Sequence, residues 1–86
     1  MTVIFHAMAE EELDSMDREL RRLFFKHIDK VVQMPPRRHM RLGVPYYVEK
    51  VTNKARLVYE KEEGEVTIYH CFATHKEYEK WFKSFK

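Results

Sequence analysis

"ARLVYEKEEGEVTIYHCFATHKEYEKWF", residues 55–82, decides the fold. Its opening "ARLVYEK" and the later "EVTIYHCF" are rich in β-branched and aromatic side chains, the composition of strands. Between them, "EKEEGE" contains Gly64, which adopts a left-handed backbone without steric penalty, so the two runs are predicted to form a hairpin. With Glu63-Gly64 as the turn, the pairing sets Arg56 opposite Cys71. A helical pattern follows in "THKEYEKWFKSF", where Tyr78, Trp81, Phe82 and Phe85 recur at helical spacing. Thr74 and Glu77 form a T-x-x-E capping box at its start.

Outward from this core the rest of the chain falls into place. "YYVEKV" reads as one more strand ahead of the hairpin, and "TVIFHA" as a short first strand. Between them Leu13, Met16, Leu20, Leu23, Phe24, Ile28, Val31 and Val32 step by threes and fours, with charges on the other face. Asp14-Ser15 offers a cap inside this run, which predicts two helices, 8–14 and 16–33, as a hairpin. "MPPRRHMRLGVP" ends the helical pattern with prolines. The order is β-α-α-β-β-β-α. The predicted class is α+β, a helical hairpin on a small antiparallel-dominated sheet with a C-terminal helix.

Eighty-six residues read as a single domain spanning 1–86. A chain of this size buries only about 60–65% of its unfolded surface, so one two-layer core is expected. A single Cys, Cys71, excludes an internal disulfide and a multi-Cys zinc site and suits a reducing cytosol. No segment has the apolar length of a membrane span, and "MTVIFHAMAEEE" lacks the charged start and apolar run of a signal peptide. The expected location is cytoplasmic.

Net charge is +2, unevenly spread. Residues 34–59 hold six Lys/Arg against one Asp/Glu, a net of +5, whereas 1–33 carries −2 and 60–86 carries −1. A basic island of this kind suits phosphate or an acidic protein partner; solvated loop charges explain it equally well. Arg37, Arg38, Arg41 and Lys50 are its candidate RNA contacts.

"FATHKEY" brings an imidazole, an ammonium and a phenol to a strand–helix junction, at the same edge as Arg56. RNA cleavage without a metal needs a proton acceptor for the 2′-hydroxyl, a cation for the phosphorane and an acid for the 5′-oxygen. His75 titrates near neutrality and can move the proton. Arg56 can grip two phosphate oxygens. Lys76 or Lys50 adds charge, and Tyr78 can stack on a base or donate a proton. Each has a plainer reading: a helix-start histidine as polar surface, a strand arginine as an ion-pair partner, a tyrosine packed on the sheet. His70 reads as a half-buried strand residue and Cys71 as core. His6, His27 and His39 show no ligand spacing, so no metal and no cofactor are expected.

Residues 55–79 resemble the C-terminal half of the RelE/ParE toxin superfamily. The "RLVY" strand, acidic turn, apolar strand and "THKEY" ending come in the same order, the last most like HigB-type members. The strand, helical hairpin and basic Pro/Gly loop of the first half fit by pattern. The resemblance implies the toxin of a type II toxin–antitoxin pair, most often a metal-free, ribosome-dependent mRNA endoribonuclease that represses translation. It implies a cognate acidic antitoxin, mRNA and the ribosome as partners, and no membrane. By position Arg56 matches the family's strand arginine, His75 and Lys76 the histidine and basic positions after the last strand, and Tyr78 the tyrosine of the "TH-EY" ending. Lys50 matches a position that is basic in ribosome-dependent members. The match makes Arg56, His75, Lys76 and Tyr78 the candidate catalytic residues. Two other readings stay open: the ParE branch, which inhibits DNA gyrase by binding, and an inactive RNA- or protein-binding member.

Overall fold

Residues 2–34 and 46–84 are described by a computed structural model. The elements are β1 (Thr2–Phe5), α1 (Ala7–Ser15), α2 (Arg18–Gln33), β2 (Tyr47–Lys50), β3 (Arg56–Glu62), β4 (Glu65–Phe72) and α3 (His75–Lys83). The class is α+β as expected. One four-stranded sheet runs in the order β1-β4-β3-β2. The β2–β3 and β3–β4 pairs are antiparallel, and β1 lies parallel to β4.

Two of the helix starts differ in how well the sequence shows them. Thr74 caps α3, its Oγ1 accepting from Glu77 N at 3.2 Å, as the T-x-x-E motif predicts. The cap of α2 is Asp17, whose Oδ1 accepts from Leu20 N at 2.9 Å, and not Asp14-Ser15. Ser15 is instead the last residue of α1 and donates its hydroxyl to Glu11 O, the back-bond of a serine inside a helix. α1 thus runs one residue beyond the predicted 14, buries Leu13, and is followed by Met16 in the core beside it. Arg21 fastens the corner, donating from Nε to Leu13 O at 2.9 Å and from Nη2 to Met16 O at 3.1 Å.

α1 and α2 pack on one face of the sheet. Ala9, Leu13, Phe24, Ile28 and Val31 meet Leu57, Tyr59, Val66, Ile68 and Cys71 there. Lys61, on the same side, donates from Nζ to the carbonyls of Val31, Val32 and Met34 at 2.8–3.0 Å. An ammonium thus satisfies the orphan acceptors at the negative end of α2. Glu49 of β2 accepts from His27 Nδ1 at 2.8 Å and from Lys30 Nζ at 2.9 Å, which ties the same helix to the edge strand.

The opposite face is also covered, which corrects the two-layer expectation. α3 lies there on Val58 and Phe72, with Tyr46, Val48, Tyr69, Tyr78, Trp81 and Phe82 partly buried around them. No residue of α3 is fully buried. A chain this short supplies one well-filled core and a thin aromatic second layer.

The Glu49 tie has a pH signature. Burial raises its pKa, but the hydrogen bonds and charges of Lys30 and His27 outweigh burial and hold the carboxyl below its ordinary 4.5. The stability it contributes is therefore complete above pH 4.5 and is lost as the pH falls through the lowered folded value. Urea unfolding at steps from about pH 5 to about pH 3 should show a shallower acid loss in Glu49→Gln than in the parent. Equal slopes would place the acid sensitivity elsewhere.

Candidate functional site

The hairpin register builds the site. Around the turn, Glu62 pairs with Glu65, Lys61 with Val66, and Gly64 takes φ 81°, all as the sequence predicts. Between Val58 and Tyr59 the register shifts, because Tyr69 is inserted as a bulge in β4. Arg56 therefore faces Phe72, not Cys71. The bulge also reverses which side chains turn inward: Val66, Ile68 and Cys71 join the α1–α2 side, and Tyr69 and Phe72 the α3 side. Arg56 is brought one residue nearer His75 than an unbroken hairpin would allow.

Lys50 pairs with Arg56, which pairs with Phe72, so the three form one row across β2, β3 and β4. Alternation from Val48 and Val58 turns this row to the α3 side. His75, three residues past Phe72, opens α3. Lys50, His75 and Lys76 are exposed.

Arg56 is anchored before any ligand arrives. Its Nη1 donates to Thr52 O at 3.0 Å, Asn53 O at 3.2 Å and Ala55 O at 3.0 Å. Thr52 folds the loop that offers these carbonyls, its Oγ1 accepting from Lys54 N and Ala55 N. Among the described residues, Nε and Nη2 make no hydrogen bond, and Arg56 forms no ion pair. Tyr78 lies with its ring centroid 6.1 Å from Phe72 and 5.9 Å from His75. It is held in the aromatic layer, half-buried, at the rim of the row.

Two carboxylates near the site are not signalled by the motif. His75 Nδ1 stands 2.8 Å from Glu79 Oε1, one helical turn on. The i, i+4 spacing in "HKEYE" is the signal that finds it. Glu12 of α1 accepts from Cys71 N at 2.8 Å and from His70 Nδ1 at 3.1 Å. β1 stops opposite Ile68, so this amide of β4 has no ladder partner on that side, and the Glu12 carboxylate takes the place of a strand. No local pattern points to it, because the two residues meet only through the sheet.

The cleft beside the start of α3, about 360 Å³, is lined by Glu11, Glu12 and Glu77 together with Ser15, Met16 and Cys71. Three carboxylates repel a phosphate, so this cleft does not suit an anionic ligand. Burial and the nearby Glu12 push the Cys71 thiol up to about 12, which removes it as a nucleophile. His70 is half-buried as expected, stacked on Phe72 at 4.6 Å. Arg37, Arg38 and Arg41 lie outside the described residues.

No family model matches the chain, and no curated protein sequence does. Solved structures do match. The YoeB dimer from Staphylococcus aureus aligns with a TM-score of 0.73 at 15% identity, over 84% of this chain and 94% of that one. The isolated RelE toxin of E. coli gives 0.72 at 19% identity, over 98% and 97%. The intact RelBE toxin–antitoxin complex of E. coli gives 0.69 at 22% identity, over 81% and 92%. The fold is that of the RelE and YoeB toxins, in agreement with the RelE/ParE resemblance of residues 55–79.

Proposed function

We propose that this protein is the toxin of a type II toxin–antitoxin pair and acts as a metal-independent, ribosome-dependent mRNA endoribonuclease in the cytoplasm. One observation carries the reading: on a toxin fold, Lys50 and Arg56 form a cationic row at the sheet edge where His75 opens α3. His75 transfers a proton at the scissile phosphate. Arg56, with Nη1 occupied by backbone carbonyls, presents Nε and Nη2 to two phosphate oxygens and stabilises the charge that develops. Lys76 and Lys50 add positive charge, and Tyr78 stacks on a base or donates to the leaving oxygen. Arg37, Arg38 and Arg41, by their charge, are further candidate contacts to RNA. An acidic antitoxin is the complementary partner of the +5 segment, in keeping with the antitoxin complex among the matching structures.

Primer-extension mapping of transcripts after induction tests the reading. Discrete cleavages within translated mRNA, insensitive to excess chelator and ending in 2′,3′-cyclic phosphate, are expected. Growth arrest with intact transcripts would replace the nuclease with a binding-only toxin.

Arg56→Lys separates anchoring from phosphate contact. A lysine ammonium can still reach the loop carbonyls, so the melting point should stay within a few degrees of the parent. An ammonium on those carbonyls offers no second prong, and single-turnover cleavage should fall by about 10²-fold. Cleavage at the parent rate would make Arg56 a loop anchor and nothing more.

A further inference from the structure

We propose that Glu79 is a positioning residue for His75: its carboxylate keeps the imidazole proton on Nδ1 and leaves Nε2 as the nitrogen that exchanges a proton with RNA. The inference rests on the nuclease reading for its use in catalysis, but the geometry stands by itself.

Glu79 Oε1 lies 2.8 Å from His75 Nδ1 as an ion-pair contact, and a carboxylate that close repels a ring lone pair and favours the hydrogen on Nδ1. In a neutral imidazole the lone pair then sits on Nε2, on the far side of the ring. A histidine side chain free in water favours the opposite tautomer, with the hydrogen on Nε2, which could not accept a proton at that atom. Glu79 thus selects the form that can act as a base toward the substrate. When Nε2 has taken the proton, the same carboxylate stabilises the imidazolium until the proton is passed on.

Stability alone does not account for the pair. Both side chains are nearly half exposed, 47% for His75 and 46% for Glu79. An exposed i, i+4 ion pair contributes only about 0.3–0.5 kcal/mol. Glu79 is itself steadied: Lys83 Nζ lies 3.9 Å from its other oxygen, Oε2. The Tyr78 ring, centroid 5.9 Å away and inclined at 48°, flanks the imidazole. The His75 ring is therefore approached by Glu79 along the helix and by a tilted aromatic ring beside it.

Long-range ¹H–¹⁵N NMR of the imidazole, recorded above its titration, reads the tautomer without any RNA. The parent should show a protonated-type Nδ1 and a bare-type Nε2 for His75. Glu79→Ala, a good helix former, should return the ring to the tautomer mixture of a histidine side chain free in water. A parent ring already showing that mixture, or a spectrum unmoved by Glu79→Ala, overturns the proposal. In single-turnover cleavage, Glu79→Ala should slow the reaction by roughly 3–10-fold, well short of the 10²–10⁴-fold of losing an acid or base outright. Added to His75→Ala it should slow nothing further; independent, multiplying effects would overturn the positioning role. If His75→Ala itself cuts like the parent, the nuclease role of His75 fails and the catalytic use of the pair fails with it. The tautomer measurement still decides, separately, whether Glu79 sets the ring.

Discussion

Replacing His75 with alanine is expected to slow single-turnover cleavage of mRNA on programmed ribosomes by about 10²–10⁴-fold, the range for one lost general acid or base. The fold should not notice. Thr74, not His75, caps α3, and the His75 side chain is half exposed, so stability should move by no more than about 0.5 kcal/mol. A variant that melts and cuts like the parent makes His75 a polar helix start. A variant that cuts slowly on an intact fold supports proton transfer. Thermal melts on the same preparation separate that outcome from a variant that cuts slowly because it has come apart.

Phe24→Ala should be the most damaging change to the fold. Phe24 is fully buried between α2 and the sheet, among Leu13, Ile28, Leu57 and Ile68. Truncating a buried phenylalanine costs about 3–5 kcal/mol, much of the roughly 5–15 kcal/mol that holds a small domain together. Its neighbour Phe25 is 45% exposed and touches Phe5 at a ring distance of 6.1 Å. Phe25→Ala should therefore cost less than about 1 kcal/mol. Urea unfolding of the two variants makes the comparison. Equal midpoints would mean that α2 turns a different face to the sheet.

That contrast between adjacent phenylalanines was legible without a structure. The three- and four-residue stepping through Leu20, Leu23, Phe24, Ile28 and Val31 includes Phe24 and passes over Phe25. The α2 cap was misplaced for a related reason. Asp14-Ser15 and Asp17 are all good caps by composition, and only the tertiary structure shows that the first pair ends α1 and that Asp17 caps α2. Among the candidate site residues, Arg56, His75, Lys76, Tyr78 and Lys50 were singled out by residue type and order. Glu79 was within reach of the i, i+4 rule. Glu12 was not, since it lies 59 residues from the amide it satisfies.

What the sequence determined by itself is local: helical stepping, the left-handed Gly64, the Thr74 cap and the order of elements all depend on residues within one or two turns of each other. What the tertiary structure decided is every relation between distant segments. β1 lies parallel to β4, α3 takes the face opposite α1 and α2, and the Tyr69 bulge sets Arg56 against Phe72 and closer to His75. A bulge leaves almost no local mark, because an extra residue in a strand has the same propensity as its neighbours. It is selected by packing: with one residue inserted, Cys71 enters one core and Phe72 the other, so both faces of β4 are filled at once.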